Sequence, residues 1–156
     1  MAKNPIIFLD IDGVLCTARS CVRQGGLMQI LDPVGIWMLS SIIEEFNAKL
    51  VLSSTWRKFH DQMSMIAILQ NSGMPKVPWH QNWKTPEGHG PRGNEIQEWL
   101  ENNGGPDPIY VIIDDDSDML PEQMTRFVKT DSYEGISYEN YGDIKMSLRK
   151  QLRDKV

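Results

Sequence analysis

The stretch IIFLDIDGVL, Ile6 to Leu15, runs four apolar residues straight into Asp10, Ile11, Asp12 and Gly13. A short continuous apolar run bounded by turn residues is the pattern of a strand covered on both faces. Lys49-Leu50-Val51-Leu52-Ser53 and Ile109-Tyr110-Val111-Ile112-Ile113 repeat it, and Arg126-Phe127-Val128-Lys129-Thr130 is a weaker fourth instance. Helical patterns lie between them. Asp32-Pro33 reads as an N-cap with proline in the first turn, after which Val34, Trp37, Met38, Ser41, Ile42 and Glu45 or Phe46 recur at helical spacing. A second helix is expected from about Asp61 to Asn71 through Met65, Ile66 and Leu69, ending near Gly73. A third, Gly93 to Asn103, carries Ile96, Trp99 and Leu100 and stops at Gly104-Gly105, and a last amphipathic helix spans about Tyr141 to Arg153. Trp37 and Trp99 fall on helix faces and are expected in the core. Strands alternating with helices imply right-handed βαβ units and a mostly parallel sheet, an α/β fold.

The chain has 156 residues, the size of one domain, expected over residues 1–156. Hydrophobic residues make up 40% and charged residues 24%, ordinary for a soluble globular protein. No apolar run approaches the length of about 20 residues that spans a bilayer, so no membrane partner is expected. The N-terminus enters strand-like sequence without the sections of a signal peptide, which points to the cytoplasm. Cys16 and Cys21 are too few for a disulfide framework or a zinc site and are expected as reduced thiols. His60, His80 and His89 have no metal-ligand spacing. The net charge of −5 provides no global field for nucleic acid, so any such contact needs a local patch.

In an open parallel sheet, function collects at the carboxyl ends of the strands. Those ends are Asp10-Ile11-Asp12-Gly13, Ser53-Ser54-Thr55-Trp56-Arg57 and Asp114-Asp115-Asp116-Ser117-Asp118, up to six carboxylates with hydroxyls and an arginine on one edge. Such carboxylates raise one another's pKa unless something positive sits among them. A hard divalent cation suits oxygen ligands, and magnesium is typically held by one or two carboxylates plus a substrate phosphate. Asp10 and Asp12 are placed to reach a common reaction centre, one as nucleophile and one as proton donor, while the turn at Gly13 lets the backbone approach closely. Ser53 or Ser54 can donate to a phosphoryl oxygen, and a nearby cation can neutralise transition-state charge. A calcium loop starting at Asp10 would need glutamate at its twelfth position, where Cys21 stands.

FLDIDGVL, LVLSSTWR, the arginine opening RGNEIQEWL, and VIIDDDSDM, in that order, resemble the four motifs of the haloacid dehalogenase (HAD) superfamily of phosphohydrolases. More narrowly, SSTWR, Thr85-Pro86, and Arg92, Glu95, Ile96, Trp99 and Leu100 resemble small HAD phosphatase domains associated with RNA-repair proteins and polynucleotide 3′-phosphatases. The resemblance implies a three-layer α/β/α Rossmann-like fold. It also implies that Asp10 attacks phosphorus to give an aspartyl-phosphate, while Asp12 protonates the leaving oxygen and then activates water. Mg2+ would be held by the Asp10 carboxylate, the Asp12 backbone carbonyl and an acidic residue of the third strand end, Asp115 being favoured over Asp114. Ser53 would bind the phosphoryl group. Arg92 stands where the family more often has lysine, with Lys84 as its rival. Asp118 would orient a water or a loop.

Ser53, Ser54 and Thr55 also suit capping of the following segment, and Arg57 suits substrate binding and a structural salt bridge equally. Trp79 and Trp83 lie in VPWHQNWKTPEGHGPR, a stretch read as a loop, where the two tryptophans with Lys84 and Arg92 nearby suit stacking on bases as well as packing the loop down. Neither the gap from Leu15 to about Leu31, a short loop before a helix, nor that from Lys58 to Pro91, with one helix and the tryptophan loop, can fold as an independent cap, since domains below about 40 residues usually need disulfides or metals. The expected protein is therefore a capless, Mg2+-dependent phosphatase with an open site. Its expected substrate is a polynucleotide end such as a 3′-phosphate. A nucleotidase and a non-catalytic binding module are the alternatives.

Overall fold

A computed structural model of the chain describes residues 3–23, 30–88 and 90–156. Five strands form one sheet in the order β3-β2-β1-β4-β5, and every pairing is parallel. They are β1 (Ile6–Leu9), β2 (Lys49–Leu52), β3 (Trp79–Lys84), β4 (Tyr110–Asp114) and β5 (Phe127–Lys129). The helices are α1 (Ala18–Arg23), α2 (Pro33–Phe46), α3 (Gln62–Asn71), α4 (Arg92–Trp99) and α5 (Tyr138–Arg153). A 3-10 turn, Thr55–Lys58, follows β2, and a π-helical turn, Leu100–Gly104, continues α4.

The central strands are buried on both faces, which is why they read as unbroken apolar runs. Ile7, Leu9, Leu50, Leu52, Val111 and Ile113 face Ile36, Leu39 and Ile42 of α2, Met65 and Leu69 of α3, and Ile144 and Leu148 of α5. Ile6, Phe8, Val51, Tyr110 and Ile112 pack on the other side with Ile96, Trp99 and Leu100. Phe8 meets Trp99 and Tyr110 edge-on, with ring centroids 5.3 and 5.8 Å apart. The result is a three-layer α/β/α, Rossmann-like fold with no separate cap among the described residues. No helix among those residues is long and apolar enough to cross a membrane.

Helix starts follow local hydrogen bonding. The Asp32 side chain accepts from Val34 N at 3.1 Å and that of Asp61 from Ser64 N at 2.8 Å. α5 begins at Tyr138, ahead of the expected Tyr141, because Ser137 and Asn140 exchange reciprocal side-chain bonds of 3.0 and 3.1 Å.

Three expectations are corrected. The stretch read as a tryptophan loop contains β3, an edge strand beside β2 with Leu50 opposite Trp79 and Leu52 opposite Lys84 across a register shift. WHQNWK lacks the apolar alternation of a core strand because an edge position requires only one neighbour. Trp37 is 63% exposed: the inward stripe of α2 is Gly35, Ile36, Met38, Leu39 and Ile42, leaving Trp37 on the outer flank beside Tyr141. The segment between Leu15 and Leu31, read as a loop, contains α1. Trp99, by contrast, is buried as expected. His89 falls outside the described residues.

Candidate active site

β1→β2→β3 builds outward on one side of β1, and β4 then returns to the other side. The carboxyl ends of β1 and β4 therefore flank the point where strand order reverses, the crevice such sheets offer to ligands. Asp10 follows β1 directly, its backbone N–H bonded to Ile113 O of β4 at 3.0 Å, and Asp114 is the last residue of β4. Both side chains are buried. One carboxylate oxygen from each of Asp10, Asp114 and Asp115 lies within 4.8 Å of the others. Gly13 makes this closeness possible: at φ +77° it turns the chain away, and a Cβ there would sit 2.0 Å from Asp115 Oδ2. Thr130 at the end of β5 donates its hydroxyl to Gly13 O at 2.8 Å, and Ser132 donates to Asp115 Oδ2 at 3.0 Å.

Asp12 stands apart from this triad. Its side chain is exposed, and its Oδ1 accepts a 3.1 Å hydrogen bond from the indole Nε1 of Trp56 in the 3-10 turn after β2. Trp56 stacks on His60 at 5.3 Å, and Phe59 between them is 81% exposed. Ser54 caps the turn through Trp56 N at 3.2 Å, the capping role anticipated for this hydroxyl-rich stretch. Ser53 is fully buried, and its Oγ has no hydrogen-bond partner.

Of the two candidate cations for the site, Arg92 is the one among the carboxylates. Its Nη1 is 3.6 Å from both Asp10 Oδ1 and Asp114 Oδ2 and donates to Ser53 O, while Nε is 3.5 Å from Glu95 Oε1. Lys84 is exposed and lies over the Trp83 ring, 5.4 Å from its centroid. Trp83 and Trp79, 5.4 Å apart, pack partly buried against the larger core. Arg57 is turned into the fold. Buried, it gives Nη2 to Glu95 at 2.6 Å and Pro86 O at 3.2 Å, Nη1 to the carbonyls of Ser53 and Ser54 at 2.9 and 2.7 Å, and Nε to Thr85 O at 3.1 Å.

The N-terminus of α4 is what carries Arg92 to the triad. Arg92 N donates to Asp118 Oδ2 at 2.8 Å and Gly93 N to Asp118 O at 3.1 Å, so Asp118 anchors the helix to the loop after β4. Gly93 lets the two surfaces touch, since a Cβ there would meet Leu120 N at 2.6 Å and Gln123 Oε1 at 2.8 Å.

Burial pushes the Asp10 carboxyl up to about 8, with the Asp114 charge adding to the rise and Arg92 opposing it. Asp114 is raised to about 6, again first by burial. One guanidinium beside these carboxylates therefore leaves Asp10 and Asp114 easier to protonate than free aspartates. A hard divalent cation would reverse that preference, and an all-oxygen donor set of aspartates suits such an ion. The residues present fit a divalent metal centred on Asp10, Asp114 and Asp115.

Residues 6–141 match the family described as the HAD domain in Swiss Army Knife RNA repair proteins. The chain belongs to this HAD family. No curated protein and no solved structure matches it.

In this HAD domain, the fold brings Asp10, Arg92, Ser53, Gly13, Asp114 and Asp115 into one crevice, with the Asp12 side chain at its mouth. Two residues of the site had no role assigned from sequence. Glu95 bridges Arg57 and Arg92 and also accepts from Gly88 N at 2.8 Å. Its signal was the i,i+3 spacing from Arg92 on a helix. Trp56 carried none, because the indole reaches Asp12 only through the tertiary approach of β1 and β2.

Proposed function

We propose that this HAD domain is a Mg2+-dependent phosphomonoester hydrolase that works through an aspartyl-phosphate and acts on a nucleic-acid end carrying a 3′-phosphate. The observation that carries the reading is the fully buried Ser53 hydroxyl, which lacks a partner on the strand end next to Asp10 and Arg92. A buried hydroxyl without a partner costs stability, and a phosphoryl oxygen would satisfy it.

The Asp10 carboxylate attacks phosphorus and the ester P–O bond breaks, with Asp12 giving its proton to the leaving oxygen. Asp12 then takes a proton from water, which attacks phosphorus and frees Asp10 and inorganic phosphate. Arg92 faces the charge that grows on the phosphoryl oxygens. Mg2+, held by the carboxylates of Asp10 and Asp115 or Asp114 and by the Asp12 carbonyl, would supply further charge neutralisation. Support for a polynucleotide end comes from the RNA-repair association of the family and the lack of a cap among the described residues.

The test is phosphate release from a 3′-phosphorylated oligonucleotide, its 5′-phosphorylated isomer and mononucleotides, with Mg2+ or a chelator and Asp10→Asn as the blank. Preferential release from the 3′-end, lost with the chelator and in the variant, is expected. Faster release from mononucleotides would replace the polynucleotide end by a nucleotide substrate, and no release from any of them would overturn the hydrolase reading.

A further inference from the structure

Asp12 is the exposed carboxylate of the site, and an exposed aspartate is free to leave its working rotamer. Among the described residues, its side chain has one hydrogen-bond donor, Trp56 Nε1, bound to Oδ1 at 3.1 Å. Oδ2 is left without a donor. Trp56 itself is partly buried and anchored. Its backbone N–H is capped by Ser54 Oγ at 3.2 Å, its carbonyl accepts from Phe59 N and His60 N at 3.0 Å each, its ring stacks on His60, and its apolar body packs against the larger core. A polar handle on an anchored apolar ring is a rigid donor, and a rigid donor on one carboxylate oxygen fixes where the other points.

We infer that Trp56 is a positioning residue for the phosphoryl-transfer step: its indole N–H pins Asp12 Oδ1 so that Oδ2 faces the leaving oxygen. The inference rests on the hydrolase reading above. In that step the Asp10–phosphorus bond forms, the phosphorus–ester oxygen bond breaks, and the proton on Asp12 passes to the departing oxygen. An alkoxide leaving group, such as the ribose 3′-oxygen, needs that proton. A nitrophenolate is stable without it. Misplacing Asp12 should therefore slow the first class of substrate and spare the second, whereas a general loosening of the site would slow both.

The experiment compares wild type with Trp56→Phe, which keeps the ring over His60 and removes only the N–H. The values to compare are kcat/KM, which reports the steps up to leaving-group departure, on a 3′-phosphorylated oligonucleotide and on p-nitrophenyl phosphate. The expected result is a fall of at least about 10-fold on the oligonucleotide, part of the roughly 10²–10⁴-fold that a placed acid provides. On p-nitrophenyl phosphate the change should stay within about two-fold. Trp56→Ala should show the same split, with a lower thermal midpoint because the ring packing is also lost. Equal losses on the two substrates, or no loss on either in Trp56→Phe, would overturn the assignment while leaving the hydrolase intact. A wild-type protein silent on both substrates would overturn the hydrolase reading and this assignment with it.

Discussion

Arg92 sits among more negative charge than one guanidinium can balance, and the site's chemistry follows from that shortfall. It faces Asp10, Asp114 and Glu95 at 3.5–3.6 Å and also bonds the carbonyl of Ser53. Arg92→Lys keeps the charge but cannot span those partners with a single ammonium, so phosphate release should fall by about 10-fold or more, with Arg92→Ala lower still. Steady-state rates with Mg2+ saturating check this, and full activity in Arg92→Ala would remove Arg92 from the mechanism. Glu95→Gln should lower activity less than either and lower the thermal midpoint more, because the buried Arg57 loses the carboxylate it bonds at 2.6 Å. At this scale the sequence was informative where a residue ends a buried strand: Asp10, Ser53 and Asp114 are where their strands deliver them. It was silent where side-chain direction depends on a turn. Asp12 lies two residues past Asp10, yet the turn at Gly13 leaves it at the mouth of the crevice while Asp10 is buried.

Helix α4 acts as a fixed arm for Arg92. Its first turn is bonded through Asp118, and Gln123 donates Nε2 to Gly93 O at 2.9 Å while its Oε1 accepts from Leu120 N at 2.9 Å. Gly93→Ala would drive a methyl into backbone at Leu120. The expected cost is about 1–3 kcal/mol, with activity falling because Arg92 withdraws with the helix. Thermal unfolding and phosphate release, measured on the same variant, test the two halves, and a variant with wild-type stability and rate would contradict this packing. The far end of α4 is secured by Trp99, whose Nε1 donates to Asn82 O of β3 at 3.0 Å. β3 itself was illegible as a strand, since a polar edge strand carries no periodic apolar signal and is defined by its pairing with β2. Trp37 misled for the opposite reason: helical spacing alone does not mark the edge of the buried stripe when aromatic rings lie on its flank.

Across the molecule, the buried acids link folding to pH and to cation. The Asp10 carboxyl moves from 3.8 to about 8 and that of Asp114 from 3.8 to about 6. Between those values the folded state holds more protons than the unfolded chain, so stability should fall as pH rises from about 4 to 8 in the presence of a chelator. A divalent cation held by the ionised triad should restore the loss most strongly at the alkaline end. Thermal midpoints at pH 5 and pH 8, with and without Mg2+, should show a cation-dependent gain that grows with pH and disappears in Asp10→Asn/Asp114→Asn. A gain that is flat across pH would mean that the cation binds elsewhere.

The most direct measurement of the mechanism is acid quenching of a single turnover on a 32P-labelled 3′-phosphorylated oligonucleotide with Mg2+, followed by mapping of label retained on the protein. The expected result is a hydroxylamine-sensitive acyl-phosphate on the peptide containing Asp10, absent in Asp10→Asn. Release of labelled phosphate with no label ever held on the protein, or label on a peptide lacking Asp10, would contradict an Asp10 nucleophile.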